Sequence, residues 1–182
     1  MVESNFTTEI EIPEKLSVTI DVNTIKIKGE KGEISKEFID PTIITSTQDN
    51  KIIFKVEKYT KRQKTMIGTY KAHINNMFKG VTQGHEYKLK VCSGHFPMNI
   101  SFNNNSFQIK NLFGEKIPRI LDISKDVELI IDGDYITVTG IDKNIVSQTA
   151  ASIEQLTRRS KFDRRIFQDG IYIVNKDGKE IK

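Results

Sequence analysis

The chain has 182 residues, 37% hydrophobic and 29% charged, with a net charge of +4; it can bury one large core or two small ones and is too apolar for a disordered polyelectrolyte. No apolar run approaches the roughly 18 to 20 residues that span a bilayer, and the polar start Met1-Val2-Glu3-Ser4-Asn5 lacks the basic flank and apolar stretch of a secretion signal, so a cytoplasmic protein is expected. The single cysteine, Cys92, excludes an internal disulfide and reads as a structural thiol in an alternating segment.

In chain order, the first strong signal is residues 18–28, a strand, an Asn-containing turn and a second strand. Residues 49–56 follow as an Asp-led turn entering an alternating run. Basic residues Lys55, Lys58, Lys61, Arg62 and Lys64 then precede a helix, in which Ile67, Tyr70, Ile74, Met77 and Phe78 share one stripe. Residues 79–85 carry the glycine spacing of a helix stop. The run Tyr87-Lys-Leu-Lys-Val91 opens a second strand series, with Lys88 and Lys90 on its outer face.

The pattern then repeats at an offset of about 80 residues, which is the mark of a duplicated unit. Residues 98–110 echo 18–28, and residues 132–138 echo 49–56. Val146, Ala151, Ile153 and Leu156 fall in register on Ile67, Ala72, Ile74 and Met77, and Val146, Thr149, Ile153 and Leu156 make the second helical stripe. Strands precede each helix rather than alternating with helices, so the expected class is α+β: two tandem copies of a small, mostly antiparallel sheet with one amphipathic helix packed on it. The expected divisions are a first repeat domain at 1–84, a second at 85–160 and a basic C-terminal tail at 161–182.

Charge separates the copies. Residues 1–80 carry 13 basic and 11 acidic groups, residues 81–154 carry 7 and 9, and the last 28 residues carry 8 and 4. Within Thr157–Gln168, five basic residues (Arg158, Arg159, Lys161, Arg164 and Arg165) sit in eight positions beside one acid and two aromatics. Guanidinium groups fork onto phosphate oxygens and stack on bases, so this segment points to nucleic acid. Relief of the helix dipole would account for Arg158 and Arg159 but not for all five.

Signs of catalysis or metal binding are weak. Cys92 and His95 have a C-x-x-H spacing without the four ligands of a structural zinc site. Gly29, Gly32 and the Asp-Gly pairs at 132–133, 169–170 and 177–178 lack any phosphate-loop or calcium-loop context and read as turn glycines with positive φ. Asp132 and Asp134 belong to a hairpin. No enzyme, cofactor, metal or small-molecule substrate is expected.

Residues 67–84 are more specific. Gly68-Thr69, Lys71-Ala72, Asn76-Met77 and Gly80-Val81 with Gly84 resemble the family of ribosomal protein six of the large subunit, called nine in eukaryotes. His95-Phe96-Pro97 and Asp169-Gly170-Ile171-Tyr172 resemble its archaeal and eukaryotic branch, and Ile10-Glu-Ile-Pro13 extends the likeness across the chain. Lys71 stands where arginine is usual, and His85 where phenylalanine usually follows the glycine. The resemblance implies two like domains and no catalysis. It implies that the second domain and the tail grip large-subunit rRNA near the sarcin–ricin loop, close to where translational GTPases dock, with neighbouring ribosomal proteins near the stalk base as further partners and no membrane. Carried onto this chain, the RNA contacts are Arg158, Arg159, Lys161, Arg164 and Arg165, with Gln168, Asp169, Gly170 and Tyr172 placing the tail. His95 and Phe96 are further candidates, Phe96 either stacking or plugging the core, with the core preferred. The first domain, balanced in charge, is expected to face proteins or solvent. The competing reading is a protein-interaction adaptor built from two sheet-plus-helix modules.

Overall fold

The computed structural model describes residues 6–48, 50–56, 60–160, 162, 163 and 165–181, and the chain divides into two compact units, residues 1–84 and 85–182. The first contains β1 (Phe6–Glu11), β2 (Ser17–Asp21), β3 (Thr24–Gly29), β4 (Gly32–Glu37), β5 (Ile43–Gln48), β6 (Lys51–Val56) and α1 (Lys61–Thr82). Alternation explains the strands: Ile25 and Ile27 are buried while Lys26 and Lys28 beside them face water. The strands form two three-stranded antiparallel sheets, in the orders β1-β6-β5 and β2-β3-β4, where one sheet per unit is expected from the sequence.

Helix α1 buries Ile67, Tyr70, Ile74, Met77, Phe78 and Val81, the stripe read from its 3.6-residue period. Tyr70 meets Phe38 edge-on at 4.7 Å between ring centroids. The helix begins earlier than its apolar stripe, so Lys61, Arg62 and Lys64 lie in its first turn instead of ahead of it, with no acid beside them. Lys58, from the same cluster, lies outside the described residues. Gly80 is buried inside the helix; the stop comes at Gly84, whose φ is +82° and whose N–H donates to the Lys79 carbonyl at 3.1 Å, a left-handed exit that glycine makes without steric cost.

The second unit repeats that succession with β7 (His85–Cys92), β8 (Asn99–Asn103), β9 (Ser106–Lys110), β10 (Arg119–Asp122), β11 (Val127–Asp132), β12 (Tyr135–Gly140) and α2 (Lys143–Leu156), then adds β13 (Gly170–Lys176) and β14 (Lys179–Glu180). One sheet runs β10-β9-β8 and the other β11-β12-β7-β13-β14. Leu89, Ile136, Val138, Val146, Ala150, Ile153 and Ile171 form its core. Asp142 caps α2, its Oδ1 accepting from the Asn144 N–H at 2.8 Å. Among the described residues, no helix is long and apolar enough to cross a membrane.

The last strands correct the expected tail. Residues 170–176 pair antiparallel with β7, Ile171 opposite Val91 and Ile173 opposite Leu89, and Ile171 is fully buried. A separate tail at 161–182 is therefore not what the fold contains. The apolar alternation of Ile171 and Ile173 completes the sheet beside β7, and the basic segment becomes a connection closed at both ends.

Candidate RNA interface

The connection from α2 to β13 carries the arginine cluster, and its two ends are bonded to each other. Thr157, buried at the end of α2, donates its hydroxyl to the Glu154 carbonyl at 2.8 Å and accepts from the Ile171 N–H at 3.1 Å. Tyr172 donates its hydroxyl to the Gln168 carbonyl at 3.0 Å. Gly170 packs closely here: a Cβ would lie 3.3 Å from Thr157 Oγ1 and from the Tyr172 ring, so those neighbours would have to give by a few tenths of an ångström. Gly170 lies within β13, and neither it nor Gly29 has positive φ, unlike Gly32, Gly133 and Gly178; the turn role expected of both glycines gives way to close packing.

Arg119 closes the helix end from the other side. Its Nε and one amino group donate to both oxygens of Glu115 at 2.8 and 2.7 Å, while its remaining amino group donates to the Leu156 carbonyl at 2.6 Å and the Arg158 carbonyl at 3.2 Å. The Leu156 carbonyl is one that a helix C-terminus otherwise leaves without a partner. The hydrogen bond from Arg119 outweighs burial and, with the charges of Arg119 and Arg159, holds the Glu115 carboxyl below its ordinary range.

An aromatic group supports the connection. Arg159 lies 4.2 Å from the centroid of Phe162 and 5.5 Å from that of Phe113, and Phe162 meets Phe167 edge-on at 5.1 Å. His95 stacks on Phe167 at 5.4 Å. The sequence pointed to Phe162 and Phe167 only as aromatics within a basic run. It offered no reason to single out Phe113, whose φ is +50° beyond Asn111 at +63°, or Arg119, an isolated arginine on another strand.

The structure gathers His95, Arg158, Arg159, Gln168, Asp169, Gly170 and Tyr172 around this connection, but with unequal parts. Arg158 is exposed. Arg165 has a side chain 90% exposed and pairs with Asp163 at 2.9 Å. Arg159 is half-buried by its aromatic contacts and stands 4.0 Å from Glu115. Gln168 is exposed and donates to the Arg165 carbonyl at 3.2 Å. Lys161 and Arg164 lie outside the described residues.

Asp169 departs from the role of an RNA contact, because it is only 5% exposed. Its Oδ1 accepts from the Gly94 N–H at 2.8 Å and His95 Nδ1 at 3.0 Å, and its Oδ2 accepts from the His95 N–H at 3.0 Å. Burial favours the neutral acid, yet hydrogen bonds from the His95 side chain and from the amides of His95, Gly94 and Phe96 together hold its pKa below the ordinary value. Asp169 is thus a positioning residue that fastens the His95 loop to β13. Phe96 is 48% exposed, so the preferred core placement does not hold; the amides on either side of His95 turn toward Asp169 and the Phe96 ring is left facing solvent.

Comparison with known proteins agrees with the duplication. The family model described as Ribosomal protein L6 matches twice, over residues 12–84 and 96–170. The Large ribosomal subunit protein uL6 of Methanobrevibacter smithii is 41% identical over 169 residues, 93% of this chain and 95% of that protein. Its counterpart of the same name from Methanococcus vannielii is 42% identical over 171 residues, 94% of each chain. With one family match in each unit and similarity across nearly the whole length, this chain belongs to the ribosomal protein L6 family, in its archaeal type.

Proposed function

We propose that this chain is a structural constituent of the large ribosomal subunit that binds large-subunit rRNA through the connection between α2 and β13. Family membership makes it a ribosomal protein of the large subunit, at work in the cytoplasm, and not an enzyme. The finer assignment is contact near the sarcin–ricin loop and the docking region of translational GTPases, with neighbouring ribosomal proteins near the stalk base. The observation that carries RNA binding is the arginine-bearing connection itself: Arg158 and Arg165 are exposed on a segment anchored by Thr157, Gln168 and Tyr172. Guanidinium groups carried on a segment tied at both ends neutralise phosphates where RNA strands converge.

Two measurements test this. In sucrose gradients at moderate salt the chain should co-migrate with the large subunit; free migration supports the adaptor reading instead. Replacing Arg158 and Arg165 together with alanine should reduce the slope of log affinity against log salt by roughly 0.7 to 0.9 for each phosphate left without its guanidinium. An unchanged slope removes those two residues from phosphate contact.

A further inference from the structure

A cleft of about 310 Å³ opens at the C-terminal end of α2, bordered by Phe113, Glu154, Gln155, Arg158, Phe162 and Tyr172. This lies at the small end of the range for ligand pockets and suits a single ring system. Phe162 and Tyr172 border it and are 37% and 41% exposed, with Arg159 over one face of the Phe162 ring at 4.2 Å. The wall also holds an acceptor. Glu154 stands in the last turn of α2, four residues before Arg158, and neither its carboxylate nor the Gln155 amide bonds to another side chain among the described residues.

A carboxylate is a poor choice for a wall that meets phosphate alone, because it repels what Arg158 and Arg159 attract. It suits a ligand edge that presents N–H donors. Unstacked RNA bases are recognised by stacking on aromatic rings and by hydrogen bonds to their Watson–Crick edges. Guanine alone among the four bases offers two adjacent donors there, N1–H and the N2 amino group, and an ionised carboxylate is purely an acceptor that can take both.

Building on the RNA-binding reading above, we propose that this cleft takes one unpaired guanine of RNA. Glu154 accepts from N1–H and N2–H, Phe162 and Tyr172 flank the base, and Arg158 holds the adjoining phosphate.

The test uses the full chain and the RNA pentamers UUGUU, UUAUU and UUUUU, with UUIUU carrying inosine, which keeps N1–H but lacks the N2 amino group. Calorimetric or NMR titration at fixed salt should give UUGUU roughly fivefold or greater advantage over UUAUU and UUUUU, with UUIUU losing most of it. E154Q should remove the preference and, by taking away a charge that repels phosphate, leave UUUUU binding at least as tight as before. Equal affinity for all four pentamers with a normal salt slope overturns the guanine site and leaves phosphate binding standing. Salt-dependent binding of none of them overturns both readings, and a guanine preference that survives E154Q overturns the role of Glu154.

Discussion

Replacing Asp169 with asparagine tests the positioning role most directly, because shape is kept while charge and one acceptor are removed. Three N–H donors lie within 3.0 Å of this carboxylate, two on Oδ1 and one on Oδ2, and the Phe96 amide adds a fourth. An asparagine whose oxygen takes the Oδ1 place keeps the bonds from Gly94 and His95 Nδ1 as weaker neutral ones. Its amino group then faces the His95 N–H, donor against donor. A charge-assisted hydrogen bond contributes about 1.5 to 3 kcal/mol, and a buried donor left without a partner costs a further 1 to 3 kcal/mol. Since the side chain is only 2% exposed, water offers little relief, and the expected loss is roughly 2 to 4 kcal/mol, a sizeable part of a domain's total of about 5 to 15 kcal/mol. Urea denaturation followed by circular dichroism would measure it. Amide exchange would place it: Gly94 and His95 should lose protection before the strands of the first unit do. A loss below about 0.5 kcal/mol, or unchanged protection at those two amides, would falsify the clamp.

Acid should weaken the same clamp with a defined sign. The folded-state pKa values of Asp169 and Glu115 are lowered, so their contribution is complete above the unfolded carboxylate range, near pH 4, and disappears as pH falls through the lower folded values. The stability gap between the unaltered chain and D169N should shrink as pH falls below the unfolded carboxylate range, near pH 4; a gap that widens below that range contradicts the assignment. R119M removes the fork at the end of α2; with the pair about one-quarter exposed (23% and 27%), solvent tempers the expected loss to about 1 to 2 kcal/mol. A double-mutant cycle with E115Q should show coupling, and strict additivity would argue against the pair. In the first unit, G29A would put a Cβ 2.8 Å from Leu16 Cδ2 and 2.9 Å from Val81 Cβ, and overpacking of this kind costs about 1 to 3 kcal/mol. NMR should find the perturbation around Leu16 and Val81, and an unaltered urea midpoint would show that the site relaxes freely.

Legibility in the sequence followed the range of the forces involved. The strands around Ile25, Ile27, Ile136 and Val138 and the stripes of both helices were readable because burial imposes a local period of 2 or 3.6 on them. The strand at Gly170–Lys176 carried the same alternation at Ile171 and Ile173, but its place depends on an open edge of β7, which no local pattern states. Phe113, Glu115 and Arg119 meet the helix end only through tertiary folding, so their isolated positions in the sequence carried no signal. Asp169 and Phe96 exchanged expected environments for one reason: the amides of residues 94–96 turn inward onto the carboxylate. His85, set apart by the resemblance as a departure from phenylalanine, is buried and bonds Asp177 through Nδ1 at 3.1 Å, joining the start of β7 to the β13–β14 turn.

One difference between the two units bears on why the proposed RNA site falls in the second. Their shared succession of six strands and a helix supplies a support in both, but only the second continues into β13, which returns beside β7 and turns the arginine segment from a free end into a loop. Ordering one residue of free chain costs about 1 to 2 kcal/mol of backbone entropy. A loop tied by Thr157, Asp169 and Tyr172 has met part of that cost during folding, leaving more of the phosphate attraction for binding. The strand added to the second copy is therefore as much a part of the proposed interface as the arginines that precede it, although it contributes little charge of its own.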